Sequence, residues 1–325
     1  MAQDARMLNL AIRLAVFLVA PFCYALLNIL SQLSKEADGS YAYSMPSVVM
    51  LAEFVKLCLS LLFLSREQGS VSGIFWCVFS RPYRWLLFAV PSVLYAVNNN
   101  LDMLNNLYMD PATESVLVQM KILTTALAWR WVFGATIGPR KWVSLVLLLC
   151  GCGLAALPPD NGKESSTMYI EPFGIVLVTL YVCVSATAGV YNEWLYKSIG
   201  KDESIHVSNI RIYVVGVTTC LSSHIGSGKG HLLEGGGLTQ GYNVYTWALV
   251  VTYSVMGLLL AQVMKQFDNI VKLFISGSSM YASAILTVLI FKRYPSWMFM
   301  TSLLLVSGAL IGYNWDRIPS RKKTQ

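Results

Sequence analysis

Charge is scarce in this chain. Asp, Glu, Lys and Arg make up 13% of its 325 residues, 55% are hydrophobic, and mean hydropathy is +0.56. A soluble domain of this length holds about twice that share of charge, which excludes a water-soluble fold. Histidine is rare. The three present, His206, His224 and His231, fall near the ends of apolar runs or in a polar stretch, which argues against a metal site. The seven cysteines (Cys23, Cys58, Cys77, Cys150, Cys152, Cys183 and Cys220) show no paired spacing with the histidines and sit almost all in apolar runs. They are read as small buried hydrophobes, neither bridges nor ligands. No Asn-x-Ser/Thr acceptor occurs to mark a lumenal loop. A phosphate loop is missing as well: Gly226-Ser-Gly-Lys229-Gly lacks the first glycine, the hydroxyl after the lysine and a preceding strand, and reads as a flexible loop. A membrane-embedded enzyme would need clustered histidines or a metal-binding carboxylate pair on one membrane face, and the sequence offers neither.

What the chain has instead is a succession of apolar runs near 20 residues long, each able to cross about 30 Å of hydrocarbon. They fall at 10–33, 44–65, 84–107, 111–134, 139–158, 172–197, 205–225, 242–263, 268–291 and 295–315. The expected fold is an all-α polytopic membrane protein of ten transmembrane helices, with no soluble domain left over. Met1 to Arg13 is short and mildly polar, and no cleavage pattern follows the first run, so that run is taken as a retained span. Ten spans put both termini on one side. Loops on that side carry fourteen Lys and Arg against five on the other (Lys35, Lys163, Lys229, Lys292 and Arg293), which places both ends in the cytosol. Topology thereby explains the net charge of +7, and no nucleic-acid partner is inferred. The cytosolic tail 317–325 ends in Lys322-Lys323-Thr-Gln, which resembles a dilysine retrieval signal, though a basic tail is the simpler account.

A weak internal repeat divides the single transporter domain into halves of about 1–158 and 172–316. Lys121, Trp142 and Gly153 in the first half are echoed by Lys272, Trp297 and Gly308 in the second, with equal spacing from tryptophan to glycine. Five spans per half would invert one repeat relative to the other, the usual construction of alternating-access carriers with a site near the midplane.

Polar groups inside the spans are few and costly, roughly 2.5–3.5 kcal/mol for an ionised side chain at the centre of a lipid-exposed helix. Glu53 and Lys56, three apart, share a helix face and can pair. Lys121 and Lys272 each lie on a helix entering the expected cavity, which favours an anionic ligand. Asn98, Asn99 and Asp102 cluster within one turn with Tyr95 just before them, while Asn209 and Tyr213 repeat the theme; Glu114, Gln119 and Ser279 are further candidates for the cavity lining. Amides and a phenol supply the directional donors and acceptors that a nucleobase edge and a ribose need, although the same residues also glue helices together. Gly151, Gly153, Gly308 and Gly312 let helices approach closely. Packing within one chain is the default for them, and a homodimer through spans five and ten is the alternative.

Several stretches are similar to the Golgi nucleotide-sugar transporters of the drug/metabolite transporter superfamily. They are Ala52-Glu-Phe-Val-Lys56-Leu, Pro91-Ser-Val-Leu-Tyr95-Ala-Val-Asn-Asn99-Asn, Gln119-Met-Lys121-Ile, Ala188-Gly-Val-Tyr191-Asn-Glu193-Trp-Leu-Tyr-Lys197, Asn209-Ile-Arg-Ile-Tyr213 and Asp268-Asn-Ile-Val-Lys272. They occur in the family's order over most of the chain and look closest to the CMP-sialic acid and UDP-galactose branch. The resemblance implies ten helices, a Golgi membrane location, no cofactor, and exchange of a lumenal nucleoside monophosphate for a cytosolic nucleotide sugar. It places Tyr95, Asn99, Asn209, Tyr213 and Lys272 around the nucleotide, with Lys272 on the phosphate. Lys121, Glu53 and Lys56 then line the sugar end, and Tyr191 joins the wider cavity lining. One departure stands out: relatives resembling the sialic acid carrier often have Tyr-Gln where this chain has Glu114-Ser115, so the sugar stays open between a CMP-linked and a UDP-linked one.

Overall fold

A run of apolar residues has one local way to satisfy its backbone in lipid, the helix. The structure, a computed structural model, describes residues 2–36, 41–108, 117–134, 136–156, 171–226, 237–292, 297–313 and 315, and every regular element among them is helical. In chain order these are α1 (Ala2–Leu33), α2 (Met45–Gln68), α3 (Val71–Phe79), α4 (Tyr83–Tyr108), a 3₁₀ turn (Val118–Met120), α5 (Lys121–Phe133), α6 (Pro139–Ala156), α7 (Pro172–Trp194) with a π turn (Leu195–Ile199), α8 (Ile205–Gly226), α9 (Val244–Gln266), α10 (Asn269–Phe291) and α11 (Trp297–Tyr313).

Among the described residues, four helical stretches are long and apolar enough to cross a membrane: Met45–Gln68, Pro172–Ile199, Val244–Gln266 and Asn269–Ile290. They coincide with the runs expected at 44–65, 172–197, 242–263 and 268–291. Leu18–Leu33 and Trp297–Tyr313 are shorter apolar helices. One element was not expected. The stretch between α2 and α4, read as a loop, contains α3, because Gly69 ends α2 at φ 66 and the Ser70 hydroxyl then accepts from the Gly73 amide at 3.1 Å to start a new helix.

The helices form two compact units that interleave in sequence, Met1–Ala96 with Tyr191–Phe291, and Val97–Val190 with Lys292–Gln325. In the first unit α2 packs between α8 and α9, and α1 lies against α9 and α10. Its core joins Ala20, Cys23, Leu27 and Leu30 of α1 to Val48 and Ala52 of α2, to Leu249, Met256 and Val263 of α9, and to Val271 and Ile275 of α10. Lipid tails are as apolar as these side chains, so packing and interhelical hydrogen bonds hold such a core more than the hydrophobic effect does. One end of the unit is tied by a tyrosine network: Ser34 to Tyr43 at 2.7 Å, Ser47 to Tyr242 at 2.8 Å, and Tyr43 edge-on to Tyr242. Asn243 caps α9 in a reciprocal box with Thr246.

In the second unit α11 lies along α6. Gly151 makes room there: a Cβ on it would stand 2.8 Å from Val306 Cγ2, and one on Gly312 would stand 2.6 Å from the Ser144 hydroxyl. These two glycines therefore serve a seam within the chain, whereas Gly308 faces open space. The cysteines correct an expectation. Only Cys23 is buried, while Cys58, Cys150 and Cys183 are exposed. In a bilayer protein the outer face is apolar too, so lying in an apolar run does not by itself mean burial.

Candidate functional site

The polar side chains of the first unit gather where α2, α8 and α9 meet. Glu53 and Lys56 do pair, Nζ to Oε1 at 2.6 Å, with side-chain exposures of 17% and 9%. Two glycines on neighbouring helices open the space they occupy. A Cβ on Gly257 of α9 would fall 2.5 Å from Lys56 Cδ, and one on Gly216 of α8 would fall 3.0 Å from Glu53 Oε2. The Lys56 ammonium also lies 4.6 Å from the centre of the Tyr213 ring, so α8 contributes a π face to the same cation. Tyr213 is buried and, among the described residues, its hydroxyl has no hydrogen-bond partner. One turn earlier on α8, Asn209 accepts from the Tyr196 hydroxyl at 2.7 Å, which commits its side-chain oxygen to the protein. Tyr191 donates to the Leu87 carbonyl at 3.3 Å. Ser279 spends its hydroxyl on the Ser276 carbonyl of its own helix.

Lys272 stands in the first turns of α10. Its ammonium hydrogen-bonds to Tyr95 of α4 and lies near Tyr24 of α1, and among the described residues no carboxylate pairs with it. Asp268, four residues earlier on the same helix, looks like a natural partner, but its Oδ1 accepts from the Val271 amide at 2.7 Å as the helix cap. A second carboxylate reaches this helix end: Glu193, 1% exposed, accepts from the Asn269 amide at 2.7 Å and from Lys197 at 2.6 Å. The helix start that carries Lys272 thus has two carboxylates engaged by its backbone amides, Glu193 by Lys197 as well, while Lys272 itself faces phenols.

The remaining candidates belong to the second unit. Asn98 is buried with an unbonded side-chain oxygen, and Asn105, not singled out in the sequence, is fully buried with neither side-chain polar atom bonded among the described residues. Gln119 lies in the 3₁₀ turn and Lys121 opens α5, close enough to Cys152 of α6 to interact electrostatically. The side chains of Asn99 and Asp102, and all of Glu114 and Ser115, lie outside the described residues, as does the tail 317–325.

Tyr24, Tyr196, Gly216 and Gly257 escaped the sequence reading. Tyr196 stands in the quoted motif three residues after Glu193 and could have been found there. The glycines carry no local signal, since their role is the space they leave for a residue on another helix. Arg211, the arginine of the Asn209–Tyr213 stretch, proves structural: it pairs with Glu203 at 2.6 Å, and Arg84 pairs with the same carboxylate.

Membrane helices that carry lysines, phenols and amides offer groups that suit a polar anion, and comparison with known proteins points the same way. A profile described as "Nucleotide-sugar transporter" matches residues 8–314. The "CMP-sialic acid transporter 1" of Oryza sativa subsp. japonica is 32% identical over 270 residues, 82% of each chain. The "UDP-N-acetylglucosamine transporter" of Rattus norvegicus is 31% identical over 307 residues, 91% of this chain and 92% of its own. A solved protein structure superposes with a TM-score of 0.65 over 94% of this chain and 98% of its own at 13% identity, which speaks to the fold alone. With a match that runs nearly from end to end, the chain belongs to the nucleotide-sugar transporter family, a family of transporters and not of enzymes.

Proposed function

We propose that the protein is a nucleotide-sugar:nucleoside-monophosphate antiporter that brings CMP-sialic acid, or a CMP-linked relative, into the Golgi lumen in exchange for CMP by alternating access. The observation that carries this is Lys272, a cation in a membrane helix whose partners are the neutral phenols Tyr95 and Tyr24. With no carboxylate on it among the described residues, its charge is left to be balanced by a ligand, and a phosphate suits it. In this reading Tyr95, Asn99, Asn209 and Tyr213 hold the nucleotide, and Glu53, Lys56 and Lys121 take the sugar end. Ten spans in two inverted five-helix repeats, about 1–158 and 172–316, with both termini in the cytosol, complete the reading.

Charge balance supports exchange. CMP-sialic acid carries one phosphodiester and one carboxylate charge, and CMP, with a second phosphate pKa near 6, carries about the same total at pH 7. A one-for-one swap moves little net charge, while an empty carrier keeps an uncompensated ammonium in a membrane helix, which disfavours the return step without ligand. A UDP-sugar carrier exchanging for UMP is the second reading, favoured by the rat relative's 31% identity, little below the rice relative's 32%. Uptake into proteoliposomes preloaded with CMP, UMP or buffer tests both. CMP should accelerate it; equal rates with empty vesicles would overturn exchange, and acceleration by UMP alone would select the second reading.

A further inference from the structure

The short helix α3 is too small for the role its neighbours have. Its nine residues span about 14 Å at 1.5 Å per residue, half of a bilayer's hydrocarbon thickness, so it cannot cross. Its two faces nevertheless are both apolar. The inner one, Ile74, Cys77 and Val78, packs against Leu64 of α2 and Val207 and Ile210 of α8. The outer one presents Val71, Phe75, Trp76 and Phe79, which are 83%, 65%, 73% and 50% exposed. At 100° per residue these four fall within one side of the helix.

The inner face is locked. Arg211, wholly buried on α8, donates to the last carbonyls of α3, to Cys77 at 3.2 Å and to Val78 at 3.2 Å, so a guanidinium closes the negative end of the helix dipole. Trp85 Nε1 adds a bond to the Val78 carbonyl at 3.3 Å. Glu203, which also pairs with Arg84, fixes Arg211 in turn. The helix is thus held rigidly with its aromatic side turned out, and Phe75, Phe79 and Trp85 stack in a row along it.

Continuity and charge identify what covers that side. Exposed Leu61, Leu62 and Phe63 lie in the C-terminal third of the membrane-crossing α2, before α3, and exposed Leu86 and Val90 follow it on α4, so the apolar surface of α3 lies between apolar surfaces that face lipid. Arg66 and Arg81, both exposed, flank α3 at its two ends. The acid nearby, Glu67, has His206 as its neighbour at 3.7 Å. Aromatic side chains between basic residues are the composition of helices that lie in the headgroup layer.

We propose that α3 is an interfacial helix whose Val71–Phe75–Trp76–Phe79 side docks into the boundary between headgroups and acyl chains, with Arg66 and Arg81 holding the phosphates of anionic lipids. The full chain is reconstituted in phosphatidylcholine vesicles whose lipids are brominated either near the headgroup or near the chain end. The Trp76 signal is taken as wild type minus Trp76→Phe. The shallow label should quench it about twofold more than the deep one. Absence of quenching by either label, as water, a second copy of the chain or a protein partner would produce, overturns the proposal; so does stronger quenching by the deep label. Should Trp76→Phe fail to fold, Phe79→Trp provides the same reading as a gain of signal. For the charge, about 30% phosphatidylinositol should raise the unfolding temperature of the wild type, and Arg66→Gln/Arg81→Gln should lose that increment while matching the wild type in phosphatidylcholine alone. The same increment from inorganic phosphate in detergent would overturn the lipid assignment, and so would an increment that survives in the double variant.

Discussion

Neutralising the Glu53–Lys56 pair one side at a time, and then both together, separates its structural role from its proposed part in transport. At 2.6 Å the two charges attract by roughly 6 kcal/mol at an effective dielectric constant of about 20. Against this stands a desolvation cost of several kcal/mol for each ion, since both side chains are largely out of water. Gain and cost nearly cancel while the pair is intact. Glu53→Gln alone, or Lys56→Met alone, leaves one buried ion with the cost and without the attraction, which is worth about 3–5 kcal/mol of destabilisation. The lysine left by Glu53→Gln keeps the Tyr213 ring at 4.6 Å, a contact of about 0.5–2 kcal/mol, so this variant should be the milder single. The double variant removes both ions and both costs, and should unfold close to the wild type. Thermal unfolding of purified protein in detergent, followed by tryptophan emission, should therefore order as wild type and double, then Glu53→Gln, then Lys56→Met. Counterflow in proteoliposomes should be lost in all three. A double variant as unstable as the singles would refute the energetic reasoning, and one that is stable and transports normally would make the pair structural only.

Gly257→Ala should push the flexible Lys56 side chain aside and part it from Glu53, lowering the unfolding temperature as the single charge variants do and raising KM for the nucleotide sugar about tenfold, about the worth of one charge-assisted hydrogen bond; thermal unfolding and counterflow at graded substrate concentrations check it. Gly151→Leu should lose about 1–3 kcal/mol by forcing α6 from α11, while Gly308→Leu should leave the unfolding temperature unchanged. Lys272→Ala should weaken nucleotide binding about 10- to 100-fold with helicity unchanged by circular dichroism, the loss of a charged hydrogen bond to phosphate; binding equal to wild type by calorimetry would remove Lys272 from the site.

What was legible in the sequence is what depends on neighbours along one helix. Glu53 and Lys56 announce their pairing by a spacing of three, and the apolar runs at 44–65, 172–197, 242–263 and 268–291 announce helices by length alone. Partners brought from elsewhere leave no such trace. Arg211 finds Glu203 eight positions back, across a bend outside its own helix, and shares it with Arg84 from far earlier in the chain. Gly216 and Gly257 matter for what they leave empty, and a glycine in an apolar run has too many possible reasons for the sequence to name one. Helix α3 was missed because a nine-residue apolar stretch is too short to register as a span and too apolar to register as a surface helix.

Lys272 shows how a rule sound in one dimension misleads in three. An acid four residues before a lysine on one helix suggests an ion pair, and Asp268 stands there. Asp268 is, however, the cap of α10, and its carboxylate turns back to the Val271 amide. Glu193 arrives from α7 at the same helix end and takes the Asn269 amide. Without them the start of α10, where backbone amides point outward with a partial positive charge, would repel an ammonium one turn away. With them, the two carboxylates satisfy the amides and offset the dipole, and the ammonium is held by phenols that bring no charge of their own. Among the described residues the cation is made tolerable without being neutralised, which is the condition a site needs if an incoming phosphate is to supply the missing charge and leave again with it.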